Sequence, residues 1–354
     1  MRQITLAEAR PGMILARYIL NAGGQILLAP GAVLTAEYIR KLAALDVLGV
    51  FVEDADYPDI ETPEYLSLQT QQRALAVLDA TMKQIARGET FAPDAVDSVA
   101  SEIVEDILSQ NTLIIHLTGI MTHDDATLAH SLNCSIYSAI LARLAGFAIA
   151  EIKEIAAGAL LHDIGKQWID KAILNKPGCL TAREYAVVKM HPEKGFNALI
   201  AKRWEISSLV AHMAWQHHER MNGQGYPRQL KGEEILPYAR LLAITDVYEA
   251  IAANRPYRRA MVPEAIYDVI ATGLGSEFDA AYGSLFLSKL AIYFPGMRVT
   301  LNSGETAIVV AIPEDTPQRP DVRLITHPDG SPYSPPKDIS LARRPKLQIL
   351  STGL

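Results

Sequence analysis

Seven of the nine histidines fall between residues 123 and 218, inside the stretch with helical spacing. His130, the pair His162-Asp163, His191 and the pair His217-His218 carry the signal, and Asp246 follows on the next helical stretch. Neutral imidazoles and carboxylates suit first-row divalent ions such as iron, manganese, cobalt, nickel or zinc. The two cysteines, Cys134 and Cys179, form no paired motif, which argues against a thiolate zinc site; both are expected as small buried packing residues. A lone histidine on a helix is ordinarily a satisfied polar group, and His116, His123 and His327 are read that way. His212 precedes His217 on the same helix and is a candidate hydrogen-bond partner behind a ligand. The adjacent pairs are different, because burying His-Asp or His-His-Glu is costly without a metal or a complete hydrogen-bond network.

Residues so far apart in sequence meet only if packed helices project them inward. From Glu61 to about Phe294 apolar residues recur at three- and four-residue spacing, and Thr181 with Glu184 forms a capping-box pattern. A glycine-rich loop, NGQGYPRQLKGEEILP, interrupts this helical region. Residues 1 to 55 read as a small α+β module of short apolar strands around a helix capped by Thr35. The acidic, proline-containing DADYPDIETP reads as a linker. Residues 295 to 354 hold short β runs separated by Asn-Ser-Gly and Pro-Asp-Gly turns, a small β appendage. The fold class is mainly α, with these two smaller units flanking a helical bundle.

A net charge of −7 and a pI near 5.7 give no general attraction for nucleic-acid polymers or membranes. An anionic phosphate substrate would need positive charge supplied locally, by metals or by a few Lys and Arg. Two cysteines make no disulfide framework, and a reducing compartment is expected. The opening MRQITLAEARPGM lacks a basic region followed by an apolar run, so no secretory signal is expected. The apolar stretch Thr127 to Ala150 carries His130 and Arg143 and reads as a buried helix rather than a membrane span. A cytoplasmic location follows as the expectation.

LLHDIGK (160 to 166), HHERMNGQGYP (217 to 227) and ITDVYEAIAANRPYRRA (244 to 260) appear in order, with HSLNCSIYSAILARLAG and HPEKG between and before them. Over about residues 125 to 285 the chain resembles the HD-GYP phosphodiesterases, a branch of the HD metal-dependent phosphohydrolases. The resemblance implies an HD-type helical bundle holding two divalent ions, iron or manganese being expected. His130, His162, Asp163 and Asp246 would form the core ligand set, and Asp163 would bridge to a second ion completed by His191, His217 and His218. Asp163 and Lys166 would be the catalytic pair, with a metal-bridging hydroxide as nucleophile and Lys166 on the substrate phosphate. Gly223, Gly225, Tyr226 and Pro227 would make the GYP loop, and Arg255, Tyr257 and Arg258 would bind phosphate or guanine edges. The implied reaction is hydrolysis of cyclic di-GMP to linear pGpG, with GMP as a further product, in bacterial signalling. A second copy of the chain or another signalling protein would be its protein partner. Two departures stand out. Ala126 replaces the glutamate that some members carry four residues before the first histidine, which favours two ions over three. Asn222 stands where an aspartate is common in the loop. A nucleotide-binding adaptor without turnover, and a hydrolase of another nucleotide, remain alternative readings.

Overall fold

The computed structural model describes every residue except 22, 46, 48, 55, 62–63, 117–121, 124–125, 177, 203–204, 253–262 and 354. At the N-terminal end β1 (Arg2–Thr5) precedes β2 (Ile19–Asn21), β3 (Ile26–Leu28), α1 (Ala36–Ala44) and β4 (Gly49–Val52). Thr35 Oγ1 caps α1 by accepting from Tyr38 N at 3.1 Å. β1 pairs antiparallel with β4, and Ile4, Leu15, Leu34, Leu42, Val50 and Val52 close a small core of their own.

The helical region runs through α2 (Leu68–Ala86) and α3 (Pro93–Ser109), then a short β5 (Thr122–His123) that joins β2 in parallel. α4 (Ala126–Leu144) and α5 (Ile149–Leu161) follow and sit at the centre. Their apolar residues are not confined to one stripe: Leu132, Ile136, Tyr137 and Ile140 on α4 are fully buried, as are Ile155, Ala156 and Ala159 on α5. A helix apolar on all sides belongs inside a protein, so the stretch expected as a buried helix is one. Around this pair lie α6 (Lys171–Leu174), α7 (Ala182–Val188), α8 (His191–Ile200), α9 (Ser208–Gln216), α10 (Pro237–Ala252), α11 (Pro263–Gly273) and α12 (Ala280–Lys289). Among the described residues no helix is long and apolar enough to cross a membrane.

The C-terminal sheet is antiparallel, in the order β10 (Ile349–Gly353), β6 (Arg298–Leu301), β7 (Thr306–Ala311), β8 (Asp321–Thr326), β9 (Pro332–Ser340). Val299, Leu301, Ala307, Val309, Val322, Leu324 and Ile339 form its core. It is tied to the helices by Gln318 Nε2, which donates to Leu287 O (2.6 Å) and Leu290 O (3.0 Å) at the end of α12.

The segment expected as a linker is instead fastened down. Tyr57 and Ile60 pack against Ile308 of β7, and Asp59 takes a two-pronged contact from Arg323 of β8 at 2.9 Å on each oxygen. Composition drew attention to the acids, but the two apolar residues spaced among them are what bury the segment.

Candidate metal centre

Five helices and a 3₁₀ turn converge on the ligand candidates. α4 carries His130; α5 ends at His162, and Asp163 begins the 3₁₀ turn Ile164–Trp168 that holds Lys166. His191 opens α8, His217 follows the last residue of α9, and α10 supplies Asp246 and Glu249. Gly165 lets the 3₁₀ turn lie directly on α8, since a methyl group there would overlap the carbonyl of His191 and the amide of Gly195. That backbone contact brings Asp163 beside His191.

Asp163 is buried and its two oxygens face different histidines. Oδ2 lies 3.4 Å from His162 Nε2 and 3.6 Å from His130 Nε2, while Oδ1 lies 3.2 Å from His191 Nε2 and 3.8 Å from His217 Nε2. Asp246 Oδ1 is 3.1 Å from His130 Nε2, and its Oδ2 is 3.7 Å from His218 Nδ1. All seven ligand candidates named from sequence are therefore gathered in one cluster, six of them buried and His218 half-buried at its edge.

The histidines are oriented from behind. Nδ1 of His162 meets Ala159 O at 2.7 Å, Nδ1 of His191 meets Val188 O at 2.7 Å, and Nδ1 of His217 meets Ala214 O at 2.9 Å. A carbonyl only accepts, so each Nδ1 carries the proton and each Nε2 turns a lone pair to the centre. Two such lone pairs, on His191 and His217, face each other at 3.2 Å. Nε2 of His162 and Oδ1 of Asp163 are buried without a hydrogen-bond partner. Facing lone pairs and orphaned acceptors are unfavourable in a dry interior unless a cation lies among them, so the donor set fits divalent ions. Subsets of these donors lie within 4.8 Å of one another, as metal ligation requires.

The charges point the same way. Burial alone would raise the Asp163 carboxyl, but Lys166 and His162 hold it well below the usual range. Burial would likewise raise Asp246, and His130 and His218 keep it ionised. Burial and neighbouring imidazoles push His217 and His218 well below the usual histidine value, leaving them neutral as ligands must be.

Lys166 places Nζ on Asp163 Oδ2, with part of its side chain open to solvent. Gly223 has a φ of +77°, and a Cβ on Gly225 would come within 2.5 Å of the backbone of His218, Glu219 and Arg220. The loop is thus pressed onto the His217-His218-Glu219 turn, where Tyr226 N donates to His218 O at 3.1 Å. Tyr226 stacks on His218 with ring centroids 4.6 Å apart. Asn222 Oδ1 accepts from Gln224 N at 2.9 Å, the turn contact an aspartate would make. Arg255, Tyr257 and Arg258 lie outside the described residues.

Several participants escape sequence reasoning. Glu249, three residues after Asp246 on the same helix face, contacts His130 Nδ1 through Oε2 and accepts from Asn133 Nδ2 at 3.4 Å. Glu219 is buried and holds the loop by accepting from Arg228 N (2.7 Å) and Leu230 N (3.0 Å). Cys134, one turn beyond His130, has Sγ 3.8 Å from both ring nitrogens, while Cys179 is exposed rather than buried. Polar spacing at three or four residues from a named ligand was the available clue to Glu249 and Cys134. His212 is not the partner of His217, whose Nδ1 is taken by Ala214; its ring packs on Phe196 and Trp215 instead.

A mainly helical bundle presenting histidines and two carboxylates to one point defines an α-protein with a candidate metal centre. The HD domain description matches residues 117–282, and that of a KOW domain associated with HD domain matches residues 298–352. Residues 117–282 thus carry an HD domain. It is 32% identical over 238 residues to the cyclic di-GMP phosphodiesterase PA4108 of Pseudomonas aeruginosa, covering 67% of this chain and 57% of that protein. To the 3'3'-cGAMP-specific phosphodiesterase 2 of Vibrio cholerae it is 35% identical over 161 residues, 46% of this chain and 31% of the relative. To the response regulator RpfG, a cyclic di-GMP phosphodiesterase of Xanthomonas campestris, it is 36% identical over 156 residues, 44% and 41% of the two chains. The chain thus spans about half or less of these relatives' length. The solved structure of Bd1817, an HDG"Y"P protein from Bdellovibrio bacteriovorus, shares the fold with a TM-score of 0.54 at 15% identity, covering 80% of this chain and 97% of that one.

Proposed function

We propose that this chain is a cytoplasmic metal-dependent phosphodiesterase that hydrolyses cyclic di-GMP to linear pGpG. The observation that carries the reading is the division of Asp163, whose two oxygens serve two separate groups of imidazoles. His130, His162 and Asp246 with Oδ2 would hold one ion, and His191, His217 and His218 with Oδ1 the other; iron or manganese suits this oxygen and nitrogen set. When bound, such ions supply Lewis acidity toward a phosphoryl oxygen and make a water nucleophilic at neutral pH. The chain's own residues do the rest. Lys166, held beside Asp163, offers a point charge to the phosphate. Burial raises the Tyr226 phenol, so its hydroxyl stays protonated and able to donate. The carbonyls behind His162, His191 and His217 fix the ring tautomers, so the ligands are set before substrate arrives. Residues 1–55 and 295–354 then serve as flanking units around the catalytic region at 61–294.

The test is chromatography of cyclic di-GMP and, in parallel, 3'3'-cGAMP after incubation with anaerobically purified protein loaded with Fe(II) or Mn(II). Conversion of cyclic di-GMP to pGpG that disappears in Asp163→Ala is the expected result. Preferred cleavage of 3'3'-cGAMP would reassign the substrate. Tight nucleotide binding by the loaded protein without turnover of either compound would sink the enzyme reading and leave an adaptor.

A further inference from the structure

A continuous path of rings leads from the metal centre to the surface. His191 meets His218 edge-on at 5.0 Å between centroids, His218 stacks on Tyr226 at 4.6 Å, and Tyr226 meets Tyr185 at 6.4 Å and 78°. The path ends in the open, because Tyr185 is 47% exposed. Lys189, one turn along from Tyr185, holds Nζ 5.1 Å from the Tyr185 centroid and 5.9 Å from that of Tyr226. Tyr18, Tyr38 and Trp168 are also exposed aromatics, but among the described residues Tyr185 is the one joined by ring contacts to the centre.

The position is rigid. Thr181 and Glu184 close a capping box on α7, and Glu184 also binds Lys176 Nζ at 2.7 and 2.9 Å. Tyr185 follows Glu184 directly, and the same chain segment delivers His191 six residues later. The backbone under Tyr185 is thus fastened on both sides, and Tyr226 and Lys189 flank its ring. An exposed aromatic in a fixed pose, with an ammonium beside it, is suited to a flat base followed by a phosphate.

We propose that Tyr185 and Lys189 form a nucleobase platform for the dinucleotide, the phenol ring stacking on a purine and the ammonium meeting the adjoining phosphate. Lys189 can cover one face of the ring, which leaves the other for the base. Tyr226 then serves as the inner wall between that base and the histidines. The inference rests on the reading of the centre as a cyclic-dinucleotide site, and it gives Tyr185 a specificity role without a part in bond cleavage.

A cyclic dinucleotide carrying 2-aminopurine in place of one guanine reports stacking directly, since its fluorescence falls when the base stacks. Titration of the protein without added metal is expected to quench it in the wild type and in Tyr185→Phe. Tyr185→Ala should bind about tenfold more weakly and quench less at saturation. Lys189→Gln should weaken binding more at low than at high salt. Unchanged quenching and affinity in Tyr185→Ala would overturn the platform, as would absence of binding to the wild type. Cyclic di-GMP turnover by the metal-loaded wild type is scored separately. Quenching that depends on Tyr185 without any turnover supports the platform while the hydrolase reading fails; turnover with no dependence of binding on Tyr185 does the reverse.

Discussion

At the scale of single residues, His130 is set apart by what stands behind it. Three of the other histidines lean on backbone carbonyls three residues earlier, whereas His130 leans on the buried carboxylate of Glu249. Burial would depress the His130 ring, but Cys134, Glu249 and Asp246 together push it well above the ordinary histidine value, so unlike His217 and His218 it must give up a proton to ligate an ion. A carboxylate partner fixes the tautomer and raises ligand basicity, so its removal should weaken binding of the ion that His130 would help to hold. Glu249→Ala is therefore expected to lose about 10- to 100-fold in metal affinity, measured by competition against a chelator, with its circular dichroism unchanged. Equal affinity in mutant and wild type would show that the carboxylate only fills space. The paired ligand candidates were legible because His-His and His-Asp are expensive to bury, whereas His130, His191 and Asp246 joined the set through the family resemblance. Glu249 was not legible, since one acidic residue on a helix carries no such signal until its neighbour across the bundle is known. Lys166 shows a similar gap, for the family resemblance placed it near the site but could not say that it rests on Asp163.

Among the elements, local chemistry was readable wherever it was complete within a few residues. Thr35 caps α1, Thr181 and Glu184 box α7, and the loop after His218 lies where its glycines placed it. What no local pattern could reveal was the pairing of distant segments, such as β2 with β5 or the 3₁₀ turn with α8. The α7 box also makes a pH-dependent contribution. Lys176, then the amide and hydroxyl of Thr181, lower the Glu184 carboxyl from an ordinary 4.5 to about 2. A group depressed on folding stabilises the folded state above its unfolded value and loses that effect as pH falls through the folded one. The contribution is thus fully present above about pH 4.5, weakens below it and is gone near pH 2. Glu184→Gln should lower the urea midpoint at pH 7 and differ progressively less from wild type as the pH approaches 2. A gap between the two proteins that stays constant across that window would exclude the box as its source.

For the whole molecule the question is how three separate cores act as one body. The N-terminal cluster around Leu15, the helical cluster around Tyr137 and the C-terminal cluster around Val309 are distinct, and the segment holding Tyr57 and Ile60 is packed onto the last of the three units at Ile308. Arg323 is the pivot: besides its fork on Asp59 it donates from Nε to Asp338 Oδ1 at 2.7 Å and from Nη2 to Asp338 Oδ2 at 3.0 Å. Two carboxylates hold the guanidinium and raise its pKa further, so the contact persists wherever both acids are ionised. Ile60, 2% exposed, provides the apolar half of the same joint. The ion pair sits near the surface and its removal should loosen the segment without unfolding the bundle. Arg323→Ala is expected to speed amide exchange across residues 53–61 while leaving α4 and α5 protected. Ile60→Ala removes buried apolar volume and should cost about 2–5 kcal/mol in denaturant unfolding. If the joint merely decorates two independent units, neither variant will alter exchange outside the residue it replaces. If it couples them, faster exchange in Arg323→Ala will extend into β7 and β8, because Tyr57 and Ile60 are packed on Ile308 from that side.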